Sequence, residues 1–196
     1  DIIALLKEKG SLLAAGTMQH QYPCCWRCKK PIIFRSTPQW FVNVEHNDLR
    51  QQALAAIKAT KWIPAWGENR ITGMVEQRPD WCLSRQRAWG VPIPATVCAK
   101  CGEVELHAAV INALAVRAKA GKIDDWFAEG DIAGLIPAGV QCGKCGNTTF
   151  TRGRDILDVW FDSGVSYAAV IEPEYGAETI TDLYLEGSDQ HRGWFH

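Results

Sequence analysis

Nowhere in these 196 residues is there an apolar run approaching the ~20 residues that a membrane-crossing helix requires. The first residues also lack the charged-then-apolar pattern of a secretory signal. No charge sign is in excess: 21 lysines and arginines stand against 22 carboxylates, a net charge of −1. That balance excludes a globally basic nucleic-acid-binding surface, so any contact with RNA must be local. Low-complexity tracts are missing, and there is no internal repeat beyond a pair of cysteine turns. An initiator methionine is missing too. The chain opens at Asp1 inside a helical pattern and stops at His196 just after a helix start, as expected of an excised internal segment.

What is present is an ordinary globular composition, 47% hydrophobic and 22% charged, enough for one sizeable core or two small ones. Eight cysteines without a secretion signal favour metal ligation over disulfides. Nine tryptophans supply large rigid faces for packing or for a ligand pocket.

The periodicity predicts helices near residues 1–9, closed by Gly10, and 48–59, capped by Asn47. Two more are expected at 67–77, interrupted at Gly73, and at 107–120, followed by a short one near 123–128. Residues 32–35 and 39–44 read as strands. Asp162-Ser-Gly opens a helix through Ala169, and residues 172–174 read as a loop. The last stretch begins as an apolar alternation, Leu183 and Leu185 about Tyr184, which reads as a strand. It restarts at Ser188 as a helix N-cap. A strand end meeting a helix start, crowded with Glu186, Asp189, Gln190, His191 and Arg192, is where open α/β sheets bind ligands.

Cys98-Ala-Lys-Cys101-Gly and Cys142-Gly-Lys-Cys145-Gly are near-copies of one device. Two residues between thiolates let a tight turn present both sulfurs to one ion, and the glycine relieves the backbone as it folds back. Two such turns make a closed, structural four-thiolate site suited to zinc. Cys25-Trp-Arg-Cys28 has the same spacing without a second pair, and reads as half of another zinc site or as a redox pair. Cys82, Trp81 and Trp126 read as core. Arg85, Arg87 and Arg192 can touch phosphate or RNA, but surface and ion-paired roles are as common.

Three stretches carry a resemblance. Residues 78–94, with Ser84-Arg-Gln-Arg-Ala-Trp-Gly90, and Asp158-Val-Trp-Phe-Asp-Ser-Gly164 resemble the class I synthetases for isoleucine, valine and leucine. Glu186-Gly-Ser-Asp-Gln-His-Arg-Gly-Trp-Phe195 resembles the isoleucyl group in particular. Tyr22-Pro-Cys-Cys-Trp-Arg-Cys28 is similar to the point where that group's editing insertion rejoins the core, although Cys24 replaces a histidine and Ala88 an aromatic residue.

The resemblance implies an α/β fold: part of a Rossmann-like class I catalytic core with an inserted four-cysteine zinc-knuckle subdomain. Residues 1–35 would end the editing insertion, 36–96 and 151–196 would belong to the catalytic core, and 97–150 would be the zinc-binding insertion. It also implies a cytoplasmic, monomeric parent enzyme that joins isoleucine to tRNA(Ile) through isoleucyl-adenylate, with ATP and Mg2+. Glu186, Gly187, Asp189 and Gln190 would line the adenylate site, with Trp160 and Trp194 as walls of the side-chain pocket. Cys98, Cys101, Cys142 and Cys145 would hold one zinc, and Cys25 with Cys28 half of another. Neither a His-x-Gly-His motif nor a Lys-Met-Ser-Lys-Ser loop occurs in these residues, so the segment alone is expected to be inactive.

Three other readings compete. A zinc-ribbon module for nucleic acid or protein explains the cysteines alone, and residues 97–150 are balanced in charge where such a module wants basic and aromatic clustering. A nucleotidyl enzyme of another family explains only the last stretch. A valyl- or leucyl-type segment explains the shared motifs but not residues 186–195.

Overall fold

The computed structural model describes residues 2–128 and 130–196, and the chain divides into two units, Asp1–Pro38 and Gln39–His196. In the first, helix α1 (Ile2–Glu8) ends as its composition predicts. Gly10 takes φ +65°, its N–H donates to Lys7 O at 3.1 Å, and the Ser11 N–H reaches back to Leu6 O at 2.9 Å. That pair of bonds satisfies carbonyls the helix leaves open. The strand expected over residues 32–35 does not form: the β pairing in this region is a single bridge, Cys24 to Pro31. Ile33 and Phe34 are both 78% exposed, so their apolar character has no face to bury it.

The second unit runs, in chain order, through β1 (Phe41–Val42), α2 (Leu49–Ala59), α3 (Trp66–Glu76), β2 (Trp81–Cys82), β3 (Ser84–Arg85), β4 (Ala95–Cys98), β5 (Val104–Leu106), α4 (Ala108–Lys119), β6 (Phe150–Arg152), β7 (Ile156–Leu157), α5 (Val159–Gly164) and α6 (Glu172–Tyr175). The expected mixture of helix and strand is present, and every named ladder is antiparallel. β1 pairs β2 with Phe41 opposite Cys82, and β3 pairs β7 with Arg85 opposite Ile156. β4 is the middle of a three-stranded sheet between β5 and β6. Among the described residues, no helix is long and apolar enough to cross a membrane.

Two cores result. The larger lies under the three-stranded sheet and α4, where Val110, Leu114, Trp126, Ile132 and Phe150 meet Cys98 and Cys142. Trp126 is fully buried, and its indole N–H is satisfied by Gly153 O at 3.1 Å. Core packing is thus the role of this tryptophan, as the sequence suggests. The smaller core joins α2 to α3 through Ile57, Ile71 and Val75, with Ala53, Leu54 and Trp62 against them.

Several sequence expectations are corrected here. Helix α3 runs unbroken through Gly73, because that glycine sits on an open face. Asn47 does not cap α2. It and Asp48 both take left-handed φ, at 52° and 55°, and Asp48 occupies the cap position without a side-chain bond. The helix expected from Asp162 begins earlier, at Val159, since the Asp158 carboxylate accepts from Trp160 N at 3.1 Å. Residues 172–174 are helical rather than loop. Residues 183–185 form no strand: Leu183 and Leu185 are 72% and 80% exposed, and no strand of the described residues lies alongside to receive their hydrogen bonds. Ser188 is the first residue of a five-residue 3-10 turn, Ser188–Arg192, whose N-cap position falls to Gly187.

Arg50 closes the second core. Its guanidinium donates to Val75 O, to Glu76 O at 3.0 Å and to Arg78 O at 2.6 Å, three carbonyls at and just past the end of α3. We predict that Arg50→Ala lowers unfolding free energy in urea by about 1.5–3 kcal/mol. Arg50→Lys should recover less than half of that, because an ammonium cannot fork to three carbonyls. Equal stability of the wild type and Arg50→Ala would contradict the capping role.

Candidate functional site

Cys98 ends β4, and Cys101 lies in the turn before β5. Cys142 and Cys145 lie in the loop that leads to β6, so the sheet brings both turns to one end. The four Sγ atoms lie within 4.8 Å of one another, with Cys98 to Cys145 and Cys101 to Cys142 both at 3.6 Å. A sulfur tetrahedron around an ion at ~2.3 Å has edges of about 3.8 Å, so the donor set fits zinc-like coordination. It does not fit disulfides, whose sulfurs sit about 2.05 Å apart, and all eight cysteines are free.

The two turns share one backbone pattern. The Cys98 N–H donates to Glu103 O and that of Cys142 to Asn147 O, both at 2.8 Å. Gly102 and Gly146 return their N–H groups to Cys98 O and Cys142 O at φ +73° and +69°, a region that favours glycine. Burial pushes the Cys98 thiol up. The N–H groups of Cys101 and Lys100, with the Cys101 and Cys145 side chains, outweigh it and bring the thiol down to about 6. Burial pushes Cys142 up despite the N–H groups of Cys145 and Lys144. An Asn147 amide N–H also reaches Cys98 Sγ, at 3.5 Å.

Contacts outside the sulfurs hold the second turn. Both Glu105 oxygens accept from Gly143 N, at 3.0 and 3.1 Å, and His107 Nε2 lies 3.8 Å from the same carboxylate. A Cβ at Gly143 would come within 2.7 Å of Glu105 Oε1, so glycine is what admits this carboxylate. Lys144 pairs with Glu103 at 2.8 Å, which raises the hold of the ammonium on its proton.

Cys25 and Cys28 repeat the backbone of the other two turns. The Cys25 N–H donates to Lys30 O and the Lys29 N–H to Cys25 O, both at 2.8 Å. Lys29, at φ +59°, occupies the position that glycine takes in the other two. The N–H groups of Cys28 and Arg27 pull the Cys25 thiol down. Among the described residues, the only group of three or more possible ligands is the four-cysteine one, so this pair stands as two donors.

A second feature is a cavity of about 720 Å³ in the Gln39–His196 unit. Trp160 and Trp194 both line it, with Val42, Val75 and Phe161 among its apolar walls. Its ionisable lining includes Arg78, Asp80, Asp158, Arg192 and His196. Burial, followed by Arg78 and Arg192, lowers the His196 imidazole below the ordinary histidine range. Trp194 stacks obliquely on Tyr184 at 4.6 Å between centroids, and its N–H donates to Gln190 Oε1 at 3.2 Å. Gln190 Nε2 in turn reaches Asp189 Oδ2 at 3.3 Å. A Cβ at Gly187 would meet Asp189 Oδ1 at 2.5 Å, so a side chain there would displace the exposed Asp189 carboxylate.

The structure therefore brings Trp160 and Trp194 to one cavity. Glu186, Gly187, Asp189 and Gln190 sit on the adjoining exposed turn and are not part of its lining. Gln190 acts here on Trp194, through the backbone.

Comparison with known proteins names this arrangement. Residues 8–196 match the family model for tRNA synthetases class I (I, L, M and V). The isoleucine–tRNA ligase of Geobacter sulfurreducens is 54% identical over the whole chain, and that of Fervidobacterium pennivorans 55% over 99% of it. The isoleucine–tRNA ligase of Thermotoga neapolitana is 54% identical over the whole chain. The chain spans about a fifth of each relative, 21% of its length. The chain belongs to the class I tRNA synthetases.

Within this class I synthetase chain, sequence reasoning missed Asp158 as a junction and left Arg85 open. Asp158, 6% exposed, accepts from Trp81 Nε1 at 3.3 Å and from Arg85, while its other oxygen caps α5. Ser84 Oγ donates to Gln39 at 2.7 Å and accepts from Trp40 N at 2.8 Å. Gln86 bridges Gln39 and Asp155, at 3.0 and 3.1 Å. The Ser-Arg-Gln signature of the synthetase thus ties three distant segments together. The only sequence signal for this was a run of polar residues between apolar neighbours.

Elemental analysis of the purified chain should find one divalent ion bound at the four cysteines, and none there after Cys142→Ser. Glu105→Ala should keep the stoichiometry but weaken retention against a chelator by about tenfold or more, with Glu105→Gln recovering part. Unchanged retention in Glu105→Ala would show that the carboxylate plays no part in holding the ion.

Proposed function

We propose that this chain forms part of the catalytic region of an isoleucine–tRNA ligase. Such an enzyme joins isoleucine and ATP into isoleucyl-adenylate and then passes the acyl group to tRNA(Ile). The observation that carries the reading is that Trp160 and Trp194 line one cavity, in a chain more than half identical to proteins named isoleucine–tRNA ligase. Two indoles make rigid apolar walls for a branched alkyl chain at low entropic cost. In this reading Glu186, Gly187, Asp189 and Gln190 face the polar part of the adenylate. Carboxylate and amide acceptors there suit an ammonium and a ribose.

Catalysis on this reading rests on placement and electrostatics rather than on a covalent nucleophile. Asp158 holds α5 and with it Trp160, and Gln190 holds the backbone of Trp194. Both walls are thereby set before substrate arrives. ATP enters with Mg2+ as substrate. Its phosphates need a His-x-Gly-His motif and a Lys-Met-Ser-Lys-Ser loop, neither of which occurs in these residues. Cys98, Cys101, Cys142 and Cys145 would hold a zinc ion whose chemistry is structural, since four thiolates leave no open position. Cys25 and Cys28 would supply half of a second site. The enzyme would work as a cytoplasmic monomer with tRNA(Ile), isoleucine and ATP.

Two outcomes follow. The isolated 196-residue chain should show no isoleucine-dependent pyrophosphate exchange. In the full-length enzyme that carries it, Trp194→Ala should raise the KM for isoleucine at least tenfold while moving the KM for ATP less than twofold. Equal effects on both would make Trp194 a packing residue instead.

A further inference from the structure

The charge balance of the whole chain conceals a division between its two units. Asp1–Pro38 holds six lysines and arginines against two carboxylates, whereas Gln39–His196 holds 15 against 20. Between Glu8 and Glu45 there is no acidic residue at all. Arg27, Lys29, Lys30 and Arg35 fall inside this stretch, on and beside the Cys25–Cys28 turn. All four are exposed, and among the described residues none is ion-paired.

Aromatic surface is interleaved with these cations. Trp26 is 74% exposed, with the Arg27 guanidinium 4.8 Å from its ring centroid, and Phe34 is 78% exposed. The turn itself is built, because three backbone hydrogen bonds tie residues 23–32 together and Tyr22 Oη donates to Ile32 O at 2.8 Å. A tied turn with exposed cations and exposed rings is how proteins hold single-stranded nucleic acid: cations follow the phosphates and rings take the bases. A peptide partner would reward the rings but not the lack of every carboxylate. The four-cysteine subdomain differs: over residues 97–150 five lysines and arginines stand against six carboxylates, and Lys144 and Arg117 are paired with Glu103 and Asp125.

We propose that the Cys25–Cys28 turn is an RNA-binding surface. Arg27, Lys30 and Arg35 contact phosphates of the tRNA, and Trp26 stacks on one of its unpaired bases. The proposal rests on the ligase reading above for its RNA, and adds the place on the chain where that RNA is held.

The test uses the full-length enzyme, its tRNA and the triple variant Arg27→Gln/Lys30→Gln/Arg35→Gln, with Trp26→Ala as a second variant. The triple variant should reduce the slope of log affinity against log salt by about 2, since each single-strand phosphate that a side chain neutralises adds roughly 0.7 to that slope. Trp26→Ala should weaken tRNA binding at least about fivefold. Isoleucine-dependent pyrophosphate exchange, which needs no tRNA, should be unchanged in both. Unaltered tRNA affinity and salt slope with exchange intact would overturn the RNA surface and leave the ligase reading standing. Absence of exchange in the unmutated enzyme would overturn the ligase reading instead. A measurement without variants guards against misfolding: saturating tRNA should protect Lys29 and Lys30 of the unmutated enzyme from acetylation. Full reactivity of both lysines in the complex would overturn the proposal.

Discussion

The Asp158 carboxylate is the contact on which the second unit turns. One oxygen receives the Arg85 guanidinium and the Trp81 indole, and the other receives the Trp160 amide in the first turn of α5. A carboxylate that is 6% exposed costs several kcal/mol to desolvate and is retained only when its lone pairs are met. Meeting them fixes three things together. β3 is held against β7, the 81–82 strand is held to the helix, and Trp160 is set at a defined position on the cavity wall. Ser84 and Gln86, on either side of Arg85, extend the same junction to Gln39 and Asp155. What reads as a signature motif in the sequence is a joint in the structure, and the pocket depends on it indirectly.

The four-cysteine end follows a different logic. Here the backbone is organised first, by N–H groups that point at sulfur and by glycines at positive φ, and the thiolates follow. The same hydrogen-bond pattern occurs three times, at Cys25, Cys98 and Cys142. Its occurrence at Cys25 puts Lys29 where the others have glycine, so the pattern is strong enough to hold a side chain in a region most residues avoid. The Cys98 and Cys142 turns meet. Where they do, two sulfurs join the larger hydrophobic core, so the four-cysteine end and the core are one structure.

The legible parts of the sequence were those governed by short spacing. Doubled Cys-x-x-Cys turns, the 108–119 helix and the end of α1 at Gly10 all follow from local rules and are found where expected. The absence of a strand at residues 183–185 was not legible, because alternation predicts a strand only where a neighbour can pair with it. The start of α5 was misread for a related reason: Asp158 and Asp162 are equally good caps by type, and Arg85, 73 residues away, is part of what holds Asp158 in place. The resemblance, not local spacing, grouped the polar residues of the last turn with Trp160 and Trp194; the two indoles line one cavity, and Gln190 bonds to the Trp194 backbone from the turn beside it.

The functional reading stands on Trp160 and Trp194 serving as apolar walls of one cavity. The most direct measurement is pyrophosphate exchange by the full-length enzyme with isoleucine, valine and leucine supplied in turn. On the proposed reading kcat/KM is highest for isoleucine, with valine lower by a factor of about 10–200, the range for one methylene in synthetases of this kind. Equal or faster exchange with leucine, or no dependence on isoleucine, would contradict it.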